Sequence, residues 1–159
     1  MSEHDLRYHA SMATPIGQLS LSASDAGITR IGFSRPAPAT AVSAPLAAAL
    51  EQLAAYFAGR LEVFDFPLDV TLRPFQQRVL EAVRRIPYGQ TRSYGEIARD
   101  IGAPGAARAV GRANHDNPVP IVIPCHRVVG AGGRLTGYAG GLDNKALLLE
   151  LEQQRAEAA

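Results

Sequence analysis

A single cysteine in 159 residues excludes an internal disulfide, and it excludes a cysteine-rich zinc site, because structural zinc takes several thiolates. A chain with no disulfide belongs in a reducing compartment. Long apolar runs are also missing. No stretch approaches the roughly 20 residues that span a bilayer, and no basic-then-apolar leader opens the chain. These absences lead us to expect a soluble, cytoplasmic protein with no metal and no cofactor. Lysine is nearly absent as well: fifteen arginines accompany Lys145 alone, a compositional bias toward arginine.

The net charge is +1, but it is unevenly spread. Residues 1–72 hold four arginines against seven acids, a net −3, and residues 135–159 carry −2. Residues 73–134 hold ten arginines against four acids, a net +6. A basic block in a near-neutral chain is the footprint of a polyanion partner, though a solvated arginine-rich face gives the same count.

The first third reads as β structure. Residues 6–13 and 18–23 alternate apolar and polar around Pro15-Ile16-Gly17, and residues 28–33 follow an Asp25-Ala26-Gly27 turn. A small antiparallel sheet is expected. Residues 34–45 are proline-rich loop. Leu46, Leu50, Leu53 and Phe57 then recur at helical spacing, with Gly59 placed to end the helix. Residues 63–70 fit either a strand or a linker. We place the boundary near residue 72, giving an α/β scaffold domain (1–72) and a mostly α domain (73–159).

The second domain is punctuated by caps and breakers. Pro74 suits a first helical turn, Phe75, Val79, Leu80 and Val83 share a face, and Pro87-Tyr88-Gly89 stops that helix. Ser93-Tyr94-Gly95-Glu96 fits a capping box, so another helix begins there and ends by Gly102-Ala103-Pro104-Gly105. Residues 106–114 form the next, completing a helix-turn-helix layout. That last helix is slim: Ala106, Ala107, Ala109, Gly111 and Ala113 leave Arg108 and Arg112 as its long side chains. It suits close approach to a narrow groove more than base-edge reading, or else tight packing on a neighbour. Asn117-Pro118-Val119-Pro120 cannot continue it, so the chain is expected to run extended from 117 to 124. Asp143 can cap a final helix whose Leu147, Leu148 and Leu151 face inward.

The lone cysteine sits in Pro124-Cys125-His126-Arg127-Val128, after Ile121-Val122-Ile123 and before the glycines at 130, 132 and 133. A thiol beside an imidazole suggests an activated nucleophile, since a neighbouring histidine raises the thiolate population. The opposing reading is a small buried hydrophobe. Glu150 or Glu152 on the last helix could orient the imidazole.

The run Ile-Pro-Cys-His-Arg-Val-Val, preceded by Asn-Pro-Val-Pro and Ala-Ala-Arg-Ala-Val-Gly, resembles the bacterial O6-alkylguanine-DNA alkyltransferases (methylated-DNA–protein-cysteine methyltransferases). The similarity runs from about Pro74 to Glu152, and Thr14-Pro15-Ile16-Gly17 matches the N-terminal domain more loosely. The resemblance implies direct, irreversible, stoichiometric transfer of an alkyl group from O6-alkylguanine, extruded from double-stranded DNA, to Cys125. His126 would take the thiol proton through a water, with Glu152 holding the imidazole and Asn117 bracing the turn. Arg108 would enter the duplex from the minor groove as a finger, with Ala106, Ala107, Ala109 and Gly111 along the approaching helix. Tyr94 would help rotate the nucleotide out and donate to the guanine ring. The carbonyls of Cys125 and Val128 would accept from the guanine amine; Pro120, Tyr138 and the Ala139 amide would line the pocket, and Lys145 would steady the neighbouring loop. A monomer able to cluster along DNA is implied. Ala139 stands where some members carry serine, and Leu80 where many carry tryptophan, a core substitution.

Three other classes compete. Alkyltransferase-like lesion sensors share the fold but replace the cysteine. A Cys-His hydrolase would need an oxyanion hole and a hydrolysable intermediate. A transcription factor would leave Cys125 unexplained, and the slim helix lacks base-reading side chains.

Overall fold

The computed structural model describes residues 8–33 and 38–158, and the chain divides into two compact units, Met1–Thr71 and Leu72–Ala159. Arg7 and Arg35, two of the first unit's arginines, lie outside the described residues.

In the first unit, strands β1 (Tyr8–Thr14), β2 (Gly17–Ala23) and β3 (Ile28–Gly32) form an antiparallel sheet in that order. Alternation sets its faces: Leu19, Leu21 and Ala23 are buried, while Ser20 and Ser22 lie nearer the surface. Helix α1 (Ala44–Phe57) starts two residues before Leu46, because the Ser43 hydroxyl caps the Leu46 amide and Pro45 fits the first turn. Leu46, Ala49, Leu53 and Tyr56 make its buried stripe. Residues 63–70 form no strand. They contribute an isolated parallel bridge, Ile28 to Leu68, and seat Phe64 and Phe66 in the core, with Phe64 5.4 Å from the Tyr56 ring.

In the second unit, α2 (Pro74–Arg84) buries Val79, Leu80, Ala82 and Val83. Each such aliphatic side chain removed from water contributes roughly 1.5–3 kcal/mol for valine or leucine. Leu80 is 1% exposed and is a core residue. Ser93 and Glu96 form the full capping box at the start of α3 (Tyr94–Asp100), and α4 (Ala107–His115) follows. Just before α3, the two-residue strand β4 (Arg92–Ser93) pairs in parallel with β5 (Val128–Val129). That pairing brings the N-terminus of α3 beside the segment that follows Cys125.

Two expectations fail here. The chain from 117 to 124 is not extended. The Asn117 carboxamide bends it, accepting from the Val119 amide (3.0 Å) and donating to the Ile123 carbonyl (2.8 Å). Within this bend Ile121 has φ +75°, a left-handed conformation that costs a β-branched residue about 1–3 kcal/mol. The other failure concerns α5 (Leu142–Ala158), in which Leu147 is 46% exposed and Asp143 lies inside the first turn rather than before it. The buried stripe is Lys145, Leu148, Leu149 and Glu152, at spacings of three, four and seven, so two charged residues occupy core positions. Among the described residues no helix is long and apolar enough to cross a membrane.

Candidate active site

Residues 121–129 are all buried, and within them Cys125, His126 and Arg127 form one turn of 3₁₀ helix. The Cys125 amide donates to the Ile123 carbonyl (2.7 Å), and the Cys125 carbonyl accepts from Asn114 Nδ2 on α4 (3.1 Å). The nucleophile candidate is therefore gripped from both sides, by the Asn117-braced bend and by α4.

His126 is fully buried, with Nε2 2.7 Å from Glu152 Oε2. Arg127 is also buried and closes on the same carboxylate: Nε to Oε1 at 2.8 Å, Nη2 to Oε2 at 3.0 Å. Burial by itself raises the Glu152 pKa, but hydrogen bonds and charge from His126 and Arg127 outweigh it and hold the carboxyl down to about 2. An ionised carboxylate only accepts, so the proton resides on His126 Nε2 and leaves Nδ1 as the basic nitrogen. Nδ1 is buried without a hydrogen-bond partner among the described residues. Burial also lowers the His126 pKa against the pull of Glu152, so the imidazole is neutral at rest. Glu150 is exposed and accepts from Gln154 on its own helix, whereas Glu152 is the acid that meets the imidazole.

The sequence suggests a thiolate favoured by its neighbour, but the structure reverses that balance. Burial pushes the Cys125 thiol up to about 11, and the opposing Asn117 hydrogen bond and Lys145 cation do not compensate. The resting group is a thiol whose proton has to leave during reaction. Lys145 is fully buried, and burial lowers it to about 8, so it is cationic at neutral pH.

Lys145 Nζ donates to the Thr136 carbonyl (2.7 Å) and lies 5.8 Å from the centre of the Tyr94 ring. The Tyr94 hydroxyl donates to the same carbonyl (3.2 Å), and its ring lies beside Gly111 of α4, where an added methyl would sit 3.7 Å away in ordinary contact. Thr136 thus ties the exposed 131–137 segment to α3 and α5 through one oxygen. Val128, Pro120 and Tyr138 are buried nearby in sequence or packing, whereas Ala139 is exposed.

On α4 the inward stripe is Val110, Ala113 and Asn114. Arg108, Ala109, Arg112 and His115 face solvent, with Ala106 and Ala107 half-buried at the helix start. At least three of the ten arginines in the basic block are already engaged: Arg127 is internal, Arg92 is paired with Glu96 (2.9 Å) and Asp100 (2.6 Å), and Arg78 donates to the Ile101 carbonyl. Sequence reasoning missed Asn114, Arg127 and Thr136 as parts of the site. Arg127 carried a usable signal, since a guanidinium inside the run of apolar residues from Pro118 to Val129 has to find a buried partner.

Comparison with known proteins agrees with this geometry. Residues 74–154 match the family described as 6-O-methylguanine DNA methyltransferase, DNA binding domain, and residues 7–70 match the corresponding ribonuclease-like domain. The chain is 51% identical over 156 residues to a methylated-DNA–protein-cysteine methyltransferase of Mycolicibacterium paratuberculosis, covering 94% of each protein. It is 42% identical over 159 residues to the constitutive enzyme of that name from Bacillus subtilis, covering 93% of this chain and 96% of that one. The crystal structure of Mycobacterium tuberculosis OGT in complex with DNA superposes with a TM-score of 0.84 at 50% identity, over 92% of this chain and 93% of the other. A likeness this close, sustained through both units, assigns the chain to the methylated-DNA–protein-cysteine methyltransferase family of DNA repair proteins.

Proposed function

We propose that this protein repairs O6-alkylguanine in double-stranded DNA by moving the alkyl group irreversibly to Cys125, once per molecule. The observation that carries this reading is a buried thiol in the same 3₁₀ turn as an imidazole that is bonded to a buried carboxylate, set in the same unit as a helix with an arginine-bearing exposed face. An O6-alkyl group lies inside the base stack, so the nucleotide has to be extruded, at a cost of a few kcal/mol that is smallest for a poorly paired lesion. Arg108, exposed near the start of α4, enters from the minor groove and occupies the space left behind. The small residues Ala107, Ala109 and Gly111 let α4 approach closely, and the remaining exposed arginines meet phosphates.

Chemistry follows from the resting states. The Cys125 proton passes through one bridging water to His126 Nδ1 as Sγ attacks the alkyl carbon. The new C–S bond forms as the C–O6 bond breaks, and the electron pair leaves on guanine. Glu152 stabilises the imidazolium that results. Tyr94, by exchanging its Thr136 carbonyl for the guanine ring, supplies a donor to the leaving base. The carbonyls of Cys125 and Val128 meet the guanine amine, and Pro120, Tyr138 and the Ala139 amide line the pocket. Asn114 and Asn117 fix the turn so that Sγ stays aligned for in-line attack. The thioether product is stable, so no turnover follows. A monomer acting on cytoplasmic DNA suffices for every step.

The test is intact-protein mass after incubation with a duplex containing one O6-methylguanine. We expect a gain of one methyl group, saturating at one per chain; lesion-selective binding without any gain would place the protein with the lesion sensors. Arg108→Ala is expected to slow repair in duplex DNA at least about tenfold while leaving reaction with a free O6-benzylated guanine base nearly unchanged, because only the duplex needs a finger. Equal losses on both substrates would remove Arg108 from that role.

A further inference from the structure

The relay of His126 and Glu152 leaves Arg127 without a part in the chemistry, yet its guanidinium makes three buried hydrogen bonds in the site. Its Nε and Nη2 take both oxygens of Glu152, and its Nη1 donates to the Ile86 carbonyl at 2.8 Å. The Tyr88 ring centre lies 5.7 Å from the guanidinium carbon. Gly89, next in the chain, has φ +81°, and a Cβ there would lie 2.7 Å from the Ala156 side chain and 3.5 Å from the Glu152 carbonyl. The turn at 86–89 is therefore shaped to do two things: hold the guanidinium, and let α5 come close enough for Glu152 to reach it. This is the Pro87-Tyr88-Gly89 segment that the sequence offers only as a helix stop.

We infer that Arg127 is a positioning residue for alkyl transfer: its fork fixes the Glu152 carboxylate against His126 Nε2 and limits how strongly that carboxylate draws a proton onto the imidazole, with the 86–89 turn as its bracket. The inference rests on the proposed relay through His126 and refines it. A carboxylate with no other partner would favour the imidazolium at rest, and a protonated Nδ1 cannot accept the thiol proton. Shared with a guanidinium, the same carboxylate orients the ring while leaving Nδ1 free. The charged and titratable groups around His126 are Cys125 and Arg127 on its own turn, Glu152 and Lys145 on α5, and Tyr138 beyond Cys125 and Glu152. Burial is the largest influence holding the ring neutral; of the groups around it, Glu152 favours imidazole protonation, and Arg127 and then Lys145 oppose it.

The sign of the test follows. Transfer requires neutral His126, so its rate falls as pH drops through the His126 pKa. Losing the Arg127 charge raises that pKa and moves the acid limb of the rate profile to higher pH. With the full-length protein and an O6-methylguanine duplex, Arg127→Met is expected to move the limb up by about one pH unit or more. The ¹⁵N imidazole titration of His126 should move by the same amount in DNA-free protein. Arg127→Lys keeps a charge but not the fork, so it should show a smaller shift of the same sign and a plateau lowered at least about tenfold. If Arg127→Met does not fold, Arg127→Lys carries the test: a wild-type limb together with a wild-type plateau would overturn the inference. An Arg127→Met protein with a lower plateau but an unmoved limb and an unmoved His126 titration would also overturn it, as a purely structural loss. Failure of the relay itself is separable. In that case His126→Asn would retain the wild-type acid limb, while the His126 titration would still report on Arg127.

Discussion

Cys125→Ser is expected to abolish alkyl transfer to the protein while leaving lesion-selective DNA binding within about threefold of wild type. The hydroxyl is nearly the same size as the thiol, so the bend braced by Asn117 and the Cys125 carbonyl bond to Asn114 should both survive. What is lost is nucleophilicity: an alcohol is a far weaker acid than a thiol, and even the thiol is held up at about 11 by burial here. We expect no methyl mass gain after hours with excess lesion duplex, and an unchanged mobility shift on that duplex. A mass gain in the serine protein would show that another side chain accepts the alkyl group and would sink the mechanism. Loss of binding along with transfer would show that the thiol contributes to recognition.

Glu152→Gln is expected to have the next largest effect, on stability and chemistry together. The carboxylate is fully buried and is the common partner of His126 and Arg127. Replacing it with an amide leaves a guanidinium buried without a counter-charge, which typically costs about 3–5 kcal/mol. For a unit of this size that lowers Tm by roughly 12–40 °C, measurable by circular dichroism. An amide also cannot stabilise an imidazolium, so transfer should slow at least about 100-fold below the melting range. A variant that melts early but transfers at the wild-type rate would confine Glu152 to packing.

The same carboxylate sets the acid response of the native protein. Its folded pKa is about 2, below the ordinary carboxylate value of 4.5. The stabilisation it provides is therefore complete above pH 4.5 and is lost as pH falls toward 2. His126 acts in the same direction, since its folded pKa is lowered and the unfolded chain takes up that proton first as pH drops below 6.5. The Glu152→Gln protein, already lacking the carboxylate, should show a shallower loss of Tm between pH 4.5 and 2.

Much of this molecule is written locally. The β1–β3 sheet, the Ser93–Glu96 capping box and the proline-started α2 follow from alternation, side-chain caps and fixed φ, which act over a few residues and so are visible in the sequence. Cys125, His126 and the arginines of α4 are equally legible, because the thiol–imidazole pair is contiguous and the helix around Arg108 is conspicuously small. The path from 117 to 124 is not legible in the same way, because prolines exclude helix without specifying extension. The bend is decided by where the Asn117 side chain finds its two backbone partners, a choice that propensity does not encode.

What tertiary structure alone decided is the electrostatics. Sequence adjacency of Cys125 and His126 suggested a stabilised thiolate, yet complete enclosure leaves a thiol, since desolvation depends on every element packed around the group. Glu152 over Glu150, Lys145 in the core and the Arg127 fork likewise depend on the rotation of α5 against earlier segments, Arg127 lying 25 residues before Glu152. A sequence can name the residues able to carry charge; which of them are buried, and opposite what, is fixed only when distant segments close around them.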